Sequence, residues 1–310
     1  MKRVLFKHLP IYVLSMVTAA ILIPTGSALA VVNPQQGAAM LLDTYTKNRA
    51  KLSASSFGVP LFLNSFEQSS RVNVDVYGVF DFPFNSVVSA LKVPSSWCDI
   101  VSLHPNVKAC TYSKEPDSGQ LIFYIGKKVY QPPEEARQVR YQYRTVVQQR
   151  GYLDILLTAD TGPFGTEDHT MRFEALPLEG GKTFVHVNYA YNDSVALRLA
   201  EKAYFATLGR SKVGFTVTGT DRSGMPVYIG GPRGAIERNA VRYYFAIQTC
   251  ITTVHSPDKT LFNTRIDQWY DRTTLYKKQL LDLSKKEYLE SKSRELENQV
   301  ILQKQVQTRE

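Results

Sequence analysis

Residues 185–191, VHVNYAY, and residues 232–254, PRGAIERNAVRYYFAIQTCITTV, carry the two periods from which the rest of the chain can be read. In the first, Val185, Val187 and Tyr189 alternate with His186 and Asn188, the period of a strand with one apolar face. In the second, Ile236, Ala240, Tyr243, Tyr244, Ile247 and Ile251 recur at helical spacing. This predicts an amphipathic helix of about six turns. Its opposite face carries Arg238, Arg242 and Gln248.

Working back from these, Met171, Phe173 and Ala175 alternate with Arg172 and Glu174, and Gly180-Gly181 supplies a hairpin turn. Leu153, Ile155 and Leu157 share one face of an earlier strand. Val139, Tyr141, Tyr143, Thr145 and Val147 alternate with Arg140, Gln142 and Arg144 before that, and a strand over Leu121–Lys128 runs into Pro132-Pro133. One apolar and one polar face per strand predicts an antiparallel sheet with one side wet and the other covered. The long helix is the natural cover. Between sheet and helix lies an insertion, read as a helix over Ser194–Leu208 and a strand over Val213–Thr218, with loops at Gly219 and Gly224. Upstream, Arg71–Tyr77 alternates as a half-buried strand, and Pro83–Lys92 and Pro94–Leu103 read as short helices. Ala38–Leu52 can form a further helix in the segment before residue 70.

This order resembles the helix-grip fold of the START-like, or SRPBCC, superfamily. There a first strand, two short helices and a run of antiparallel strands precede a long C-terminal helix across the concave face. Arg71–Tyr77, the two short helices, Leu121–Tyr191 and Pro232–Val254 fill those slots over residues 70–254. The likeness rests on element order and spacing, and the helical insertion at 194–208 departs from the simplest members. The resemblance implies an α+β protein with a cavity between helix and sheet, holding a lipid, sterol or polyketide-like molecule. Tyr141, Tyr143, Phe173, Tyr189 and Tyr243, all on the inward faces, are the candidate ligand-binding residues. Aromatic walls with a few hydroxyls suit an amphipathic guest. The alternative for each is plain core packing.

The N-terminus carries an export signature. Lys2, Arg3 and Lys7 precede an apolar run, Ile11–Ile23, and Ala28-Leu29-Ala30 is a small-x-small cleavage site, with cleavage expected after Ala30. An uncleaved anchor is the alternative, disfavoured by the short run and by Pro24 and Gly26 at its end. Cleavage leaves 280 of the 310 residues and lowers the formal net charge from +9 to +6. The expected location is a bacterial periplasm, or the exterior. Basic residues are dispersed along the chain and form no aromatic-interleaved patch, which argues against nucleic acid. A weak attraction to anionic lipid surfaces is permitted.

Cys98, Cys110 and Cys250 are the three cysteines. In an oxidising compartment Cys98 and Cys110 are the natural disulfide pair, with two buried thiols as the alternative. Cys250 falls among the helix's apolar positions. No Cys or His residues stand at metal-ligand spacing, and no cofactor-binding motif occurs. Glu167-Asp168-His169 superficially suggests a catalytic group, but it is expected in a solvated loop beside Gly162-Pro163 and Gly165, and no catalytic residue is assigned. Gly230-Gly231-Pro232 reads as a helix start, and Glu237-Arg238 as an ion pair on its first turns.

Residues 255–310 are expected as a separate helical tail. Ile266, Trp269 and Tyr270 can dock on the main domain, and Leu275–Gln305 reads as one long helix without a strict heptad. Two readings follow. The protein is a carrier for a hydrophobic small molecule, or an envelope assembly protein that uses the domain as scaffold and the tail for a protein or membrane contact. A continuous cavity of roughly 300–1,000 Å³ favours the first. A collapsed core with a projecting tail helix favours the second.

Overall fold

The computed structural model describes residues 34–113, 119–149, 151–206 and 212–309. The expected signal segment, residues 1–30 with its cleavage site after Ala30, lies outside them. In chain order come helix α1 (Pro34–Ser53), strands β1 (Leu61–Gln68) and β2 (Arg71–Phe80), and helices α2 (Phe84–Leu91) and α3 (Pro94–Val101). Strands β3 (Val107–Tyr112), β4 (Gln120–Ile125), β5 (Arg137–Gln149), β6 (Tyr152–Thr161), β7 (Glu167–Leu178) and β8 (Lys182–Asn192) follow. The insertion is helix α4 (Val195–Ala206) and a hairpin of β9 (Val217–Thr220) and β10 (Pro226–Tyr228). Helix α5 (Gly231–Thr252) comes next, then the tail: α6 (Asp258–Thr274), α7 (Lys277–Leu280) and α8 (Lys285–Arg309).

β1 to β8 make one sheet in the order β1-β2-β8-β7-β6-β5-β4-β3, every neighbouring pair antiparallel. The meander from β3 to β8 returns beside β2, which curls the sheet around α5. Val74, Val76 and Phe80 of β2, Ile155 of β6 and Val187 of β8 share one buried core with Ile236, Ala240 and Ile247 of α5. Gly78 belongs to this contact, because a Cβ there would overlap the Tyr244 hydroxyl. The arrangement is the START-like helix-grip fold, α+β in class, with β1 added at one sheet edge.

Several expectations are corrected. The alternation of β5 breaks at a bulge between Thr145 and Val147, which leaves Thr145 exposed and turns Val147 to the opposite face. There Val147 joins Tyr152, Leu176 and Phe184 beneath Leu41 and Leu52 of α1, so the outer face of the sheet is partly covered rather than wet. Arg238 and Arg242 are not a solvated helix face. They are 4% and 1% exposed, because the tail packs on that side of α5. Glu167-Asp168-His169 begins β7 instead of forming a loop.

The tail helix expected over Leu275–Gln305 is broken at residues 281–284 into α7 and α8. It does not project. α8 lies along the sheet's last strand, β3. The Gln299 carboxamide oxygen accepts the Cys110 N–H at 3.0 Å, and Glu295 pairs with buried Lys108 at 2.7 Å. Helix residues four apart are separated by about 6.0 Å. Strand residues two apart are separated by about 6.7 Å. Glu295, Gln299 and Gln303 therefore keep step with Lys108, Cys110 and Tyr112. Open strand edges invite pairing with other chains, and this one is closed by side chains of a helix.

Cys98 of α3 and Cys110 of β3 form a disulfide, Cα to Cα 5.1 Å, and Cys250 is a buried free thiol. Glu237 is not engaged as an exposed pair with its neighbour. Its carboxylate accepts hydrogen bonds from the Phe215 and Thr216 amides and the Ser65 and Thr216 hydroxyls, which ties the insertion and β1 to α5. Among the described residues, no helix is long and apolar enough to cross a membrane.

Candidate functional site

Among the described residues, the middle of the sheet–helix contact is a packed apolar core, and open space lies at one end of it. A cavity of ≈ 220 Å³ lies between the start of β7, the end of β8, the N-terminal half of α5 and the loop before β3. Its walls are Tyr189 and Tyr191 of β8, His169 of β7, Asn239 and Tyr243 of α5, and His104. Phe164, in the β6–β7 loop, and Leu197, on α4, complete its lining. Phe164 has φ 57°, a left-handed conformation uncommon for a bulky residue. Its carbonyl accepts the Ser194 hydroxyl at the start of α4, so loop and insertion are joined above the cavity.

The five candidate ligand residues separate into two groups. Tyr189 and Tyr243 line the cavity, their ring centroids 6.1 Å apart and near perpendicular. Tyr141 stands behind them, its hydroxyl hydrogen-bonded to that of Tyr189. Tyr143 and Phe173 lie elsewhere in the core. The Tyr143 hydroxyl reaches the Leu91 carbonyl at 3.4 Å and Thr145 Oγ1 at 3.1 Å. Phe173 is fully buried against the edge of Trp97.

His104 and His169 were not among the candidates. His169 extends the Met171, Phe173, Ala175 face of β7 by one step toward the N-terminus. Alternation was therefore the available signal, hidden by the expectation of a loop. His104 stacks on Tyr243 at 5.0 Å and His169 on Tyr191 at 5.3 Å. Burial lowers the pKa of His104 well below its usual range, reinforced by the nearby cations Arg242, Lys292 and Lys128. Burial, then the charge of Arg71, pushes His169 down to about 4. Burial raises Tyr189 to about 12. At neutral pH the cavity wall is therefore uncharged. It presents aromatic faces and a few polar atoms, the composition of a site for a small, largely apolar guest.

Two larger grooves, ≈ 710 Å³ and ≈ 430 Å³, run beside α8. Their walls include Glu287, Glu290, Asp267 and Gln268, and they lie outside the sheet–helix contact.

No protein-family model matches the chain, and no curated protein does. Solved structures similar to it include a conserved protein from Geobacillus kaustophilus, 11% identical, with a TM-score of 0.36 over 58% of this chain and 95% of that one. A START superfamily protein from Mycobacterium smegmatis is 13% identical, with a TM-score of 0.30 over 44% and 88%. Human StAR-related lipid transfer protein 5 is 10% identical, with a TM-score of 0.34 over 72% and 100%. At TM-scores below 0.5 these likenesses are loose. The fold assignment stands on the strand order and the gripped helix.

Proposed function

We propose that this chain is an exported, periplasmic binding protein for a small hydrophobic molecule. The observation that carries the reading is the ≈ 220 Å³ cavity, walled by tyrosines and uncharged imidazoles at one end of the gripped helix. Its volume falls short of the roughly 300–1,000 Å³ usual for drug-sized ligands, so the guest is compact. Among the described residues, the cavity is smaller than the continuous one expected of the first reading, and the tail helices pack on the sheet edge and α5 instead of projecting as the second expects. The docked tail gives no support to the assembly reading, since Glu295, Gln299 and Gln303 are engaged inward on β3.

Native mass spectrometry of residues 31–310, purified without detergent and followed by organic extraction, tests the proposal. A copurifying small-molecule mass that disappears in Ala235→Trp, which fills the cavity from α5, supports it. A bare protein mass that stays bare after incubation with a cell extract of small organic molecules contradicts it.

A further inference from the structure

The loop that brings His104, Asn106 and Val107 to the cavity is held in shape from outside it. Residues 103–107 connect α3 to the start of β3, and the Cys98–Cys110 disulfide closes the chain around them. Buried carbonyls need donors, and each of these residues has found one. The Leu103 carbonyl accepts the Tyr288 hydroxyl at 2.8 Å. Lys292 Nζ donates to the His104 and Val107 carbonyls, both at 2.8 Å. Lys108 Nζ serves the Pro105 carbonyl at 2.7 Å, and the Gly126 N–H serves that of Asn106 at 2.7 Å. Three of these five carbonyls are thus held by two side chains of α8. Among the described residues, none that lines the cavity belongs to α8.

Lys292 is built to set this shape. An ammonium carries three N–H donors. Two go to the loop, and the third goes to Glu295 Oε2 at 2.7 Å. The side chain is 2% exposed, so these fixed acceptors decide where the ammonium sits. Glu295 Oε1 receives Lys108 at 2.7 Å, so one carboxylate of α8 joins both lysines that serve the loop. Tyr288, Lys292 and Glu295 follow one another at helical spacing and share a face of α8. The Tyr288 ring is stacked on Trp269 of α6, centroids 5.1 Å apart, which anchors that face from behind.

We propose that Tyr288 and Lys292 are positioning residues for the cavity: they hold the 103–107 loop in the conformation that completes its wall, which couples docking of α8 to ligand binding. The proposal rests on the binding reading above and adds its control. Removing a donor leaves buried carbonyls unmatched, which favours rearrangement of the loop. Affinity then falls by the fraction of molecules that keep the binding conformation. By linkage, a bound ligand favours the docked tail by the same factor.

Isothermal titration with indole and 2-naphthol tests it, on residues 31–310 unaltered and as Lys292→Met and Gln303→Ala. Gln303 holds Tyr112 about three turns farther along α8, away from the loop. Expected is roughly tenfold weaker binding in Lys292→Met and unchanged affinity in Gln303→Ala, although both melt at lower temperature. Unchanged affinity in a folded Lys292→Met overturns the positioning role and leaves the binding reading standing. An equal loss in the two variants does the same, since any loosening of α8 would then suffice. No binding of either probe to the unaltered protein overturns both. Should thermal melting show Lys292→Met unfolded, Tyr288→Phe decides, because it removes one hydroxyl and keeps the ring against Trp269. A loss of about threefold is expected there, and unchanged affinity overturns the proposal.

Discussion

Gln303 brackets Tyr112 as a neighbouring strand would. Its Oε1 accepts the Tyr112 N–H at 3.0 Å, and its Nε2 donates to the Tyr112 carbonyl at 2.9 Å. One helical side chain thus occupies both hydrogen-bonding groups of an edge-strand residue. Gln303→Ala is expected to destabilise the protein by about 1 kcal/mol, since the freed groups regain water. Gln299→Ala is expected to act similarly, because Gln299 serves Cys110 and Ser102 together. Urea unfolding measures the loss, and hydrogen exchange at the Tyr112 amide locates it. Unchanged protection of that amide in Gln303→Ala counts against the helix acting as the edge's partner.

A second prediction concerns pH. His186 lies on the outer face of the sheet between two carboxylates, its Nδ1 2.7 Å from Glu174 and its Nε2 2.9 Å from Asp75. Burial alone would lower its pKa, but the hydrogen bonds to Asp75 and Glu174 prevail and raise it from 6.5 to about 9. A raised native pKa contributes stability that is complete below the unfolded value, 6.5, and is lost as pH climbs through about 9. Asp75 and Glu174 are shifted the other way. Burial opposes the shift and His186 overcomes it, so their contribution holds above the ordinary carboxylate range and is lost in acid. Stability should therefore fall between pH 6.5 and 9, and His186→Gln should flatten that limb. Urea midpoints at pH 6, 7.5 and 9 check both statements.

Gly78→Ala is expected to destabilise by about 1–3 kcal/mol, the range for overpacking a filled core. The added methyl meets the Tyr244 hydroxyl and ring, which are held on α5. Tyr244→Phe in the same background should recover part of the loss. A neutral Gly78→Ala in thermal melting would mean that α5 sits farther from β2 than described.

The disulfide and the export signature make a joint prediction. Mass spectrometry of protein recovered from the periplasm should show a chain beginning at Val31, two mass units below its fully reduced form. Reduction should lower stability by roughly 2–3 kcal/mol, the chain-entropy value for a loop of this length. Retention of residues 1–30, or two free thiols at Cys98 and Cys110, contradicts the corresponding half.

How far the sequence could be read depended on periodicity. β2, β6, β7, β8 and α5 each repeat their pattern several times, and each was legible. β1 and β3 were not, for different reasons. In LFLNSFEQ only Leu61 and Phe62 are buried. In VKACTY the strand buries a lysine, Lys108, which is tolerable only because Glu295 arrives from a helix 187 residues later. The same distance effect hid the fate of Arg242. Its partner Asp282 sits beyond α6 and α7, so the sequence pattern alone made it a solvent-facing residue. The cavity wall was half legible. Tyr189 and Tyr243 follow from alternation and helical spacing, but His104 and Asn239 meet through a hydrogen bond across 135 residues that no local pattern encodes.

The central claim, that a small apolar molecule binds between α5 and the ends of β7 and β8, is tested most directly by amide ¹H–¹⁵N spectra of residues 31–310 titrated with 2-naphthol. Saturable one-to-one shifts at His169, Tyr191, Asn239 and Tyr243 are the predicted result. Shifts confined to the grooves along α8, at Tyr130 and Leu289, or no saturable shift at all, would contradict it.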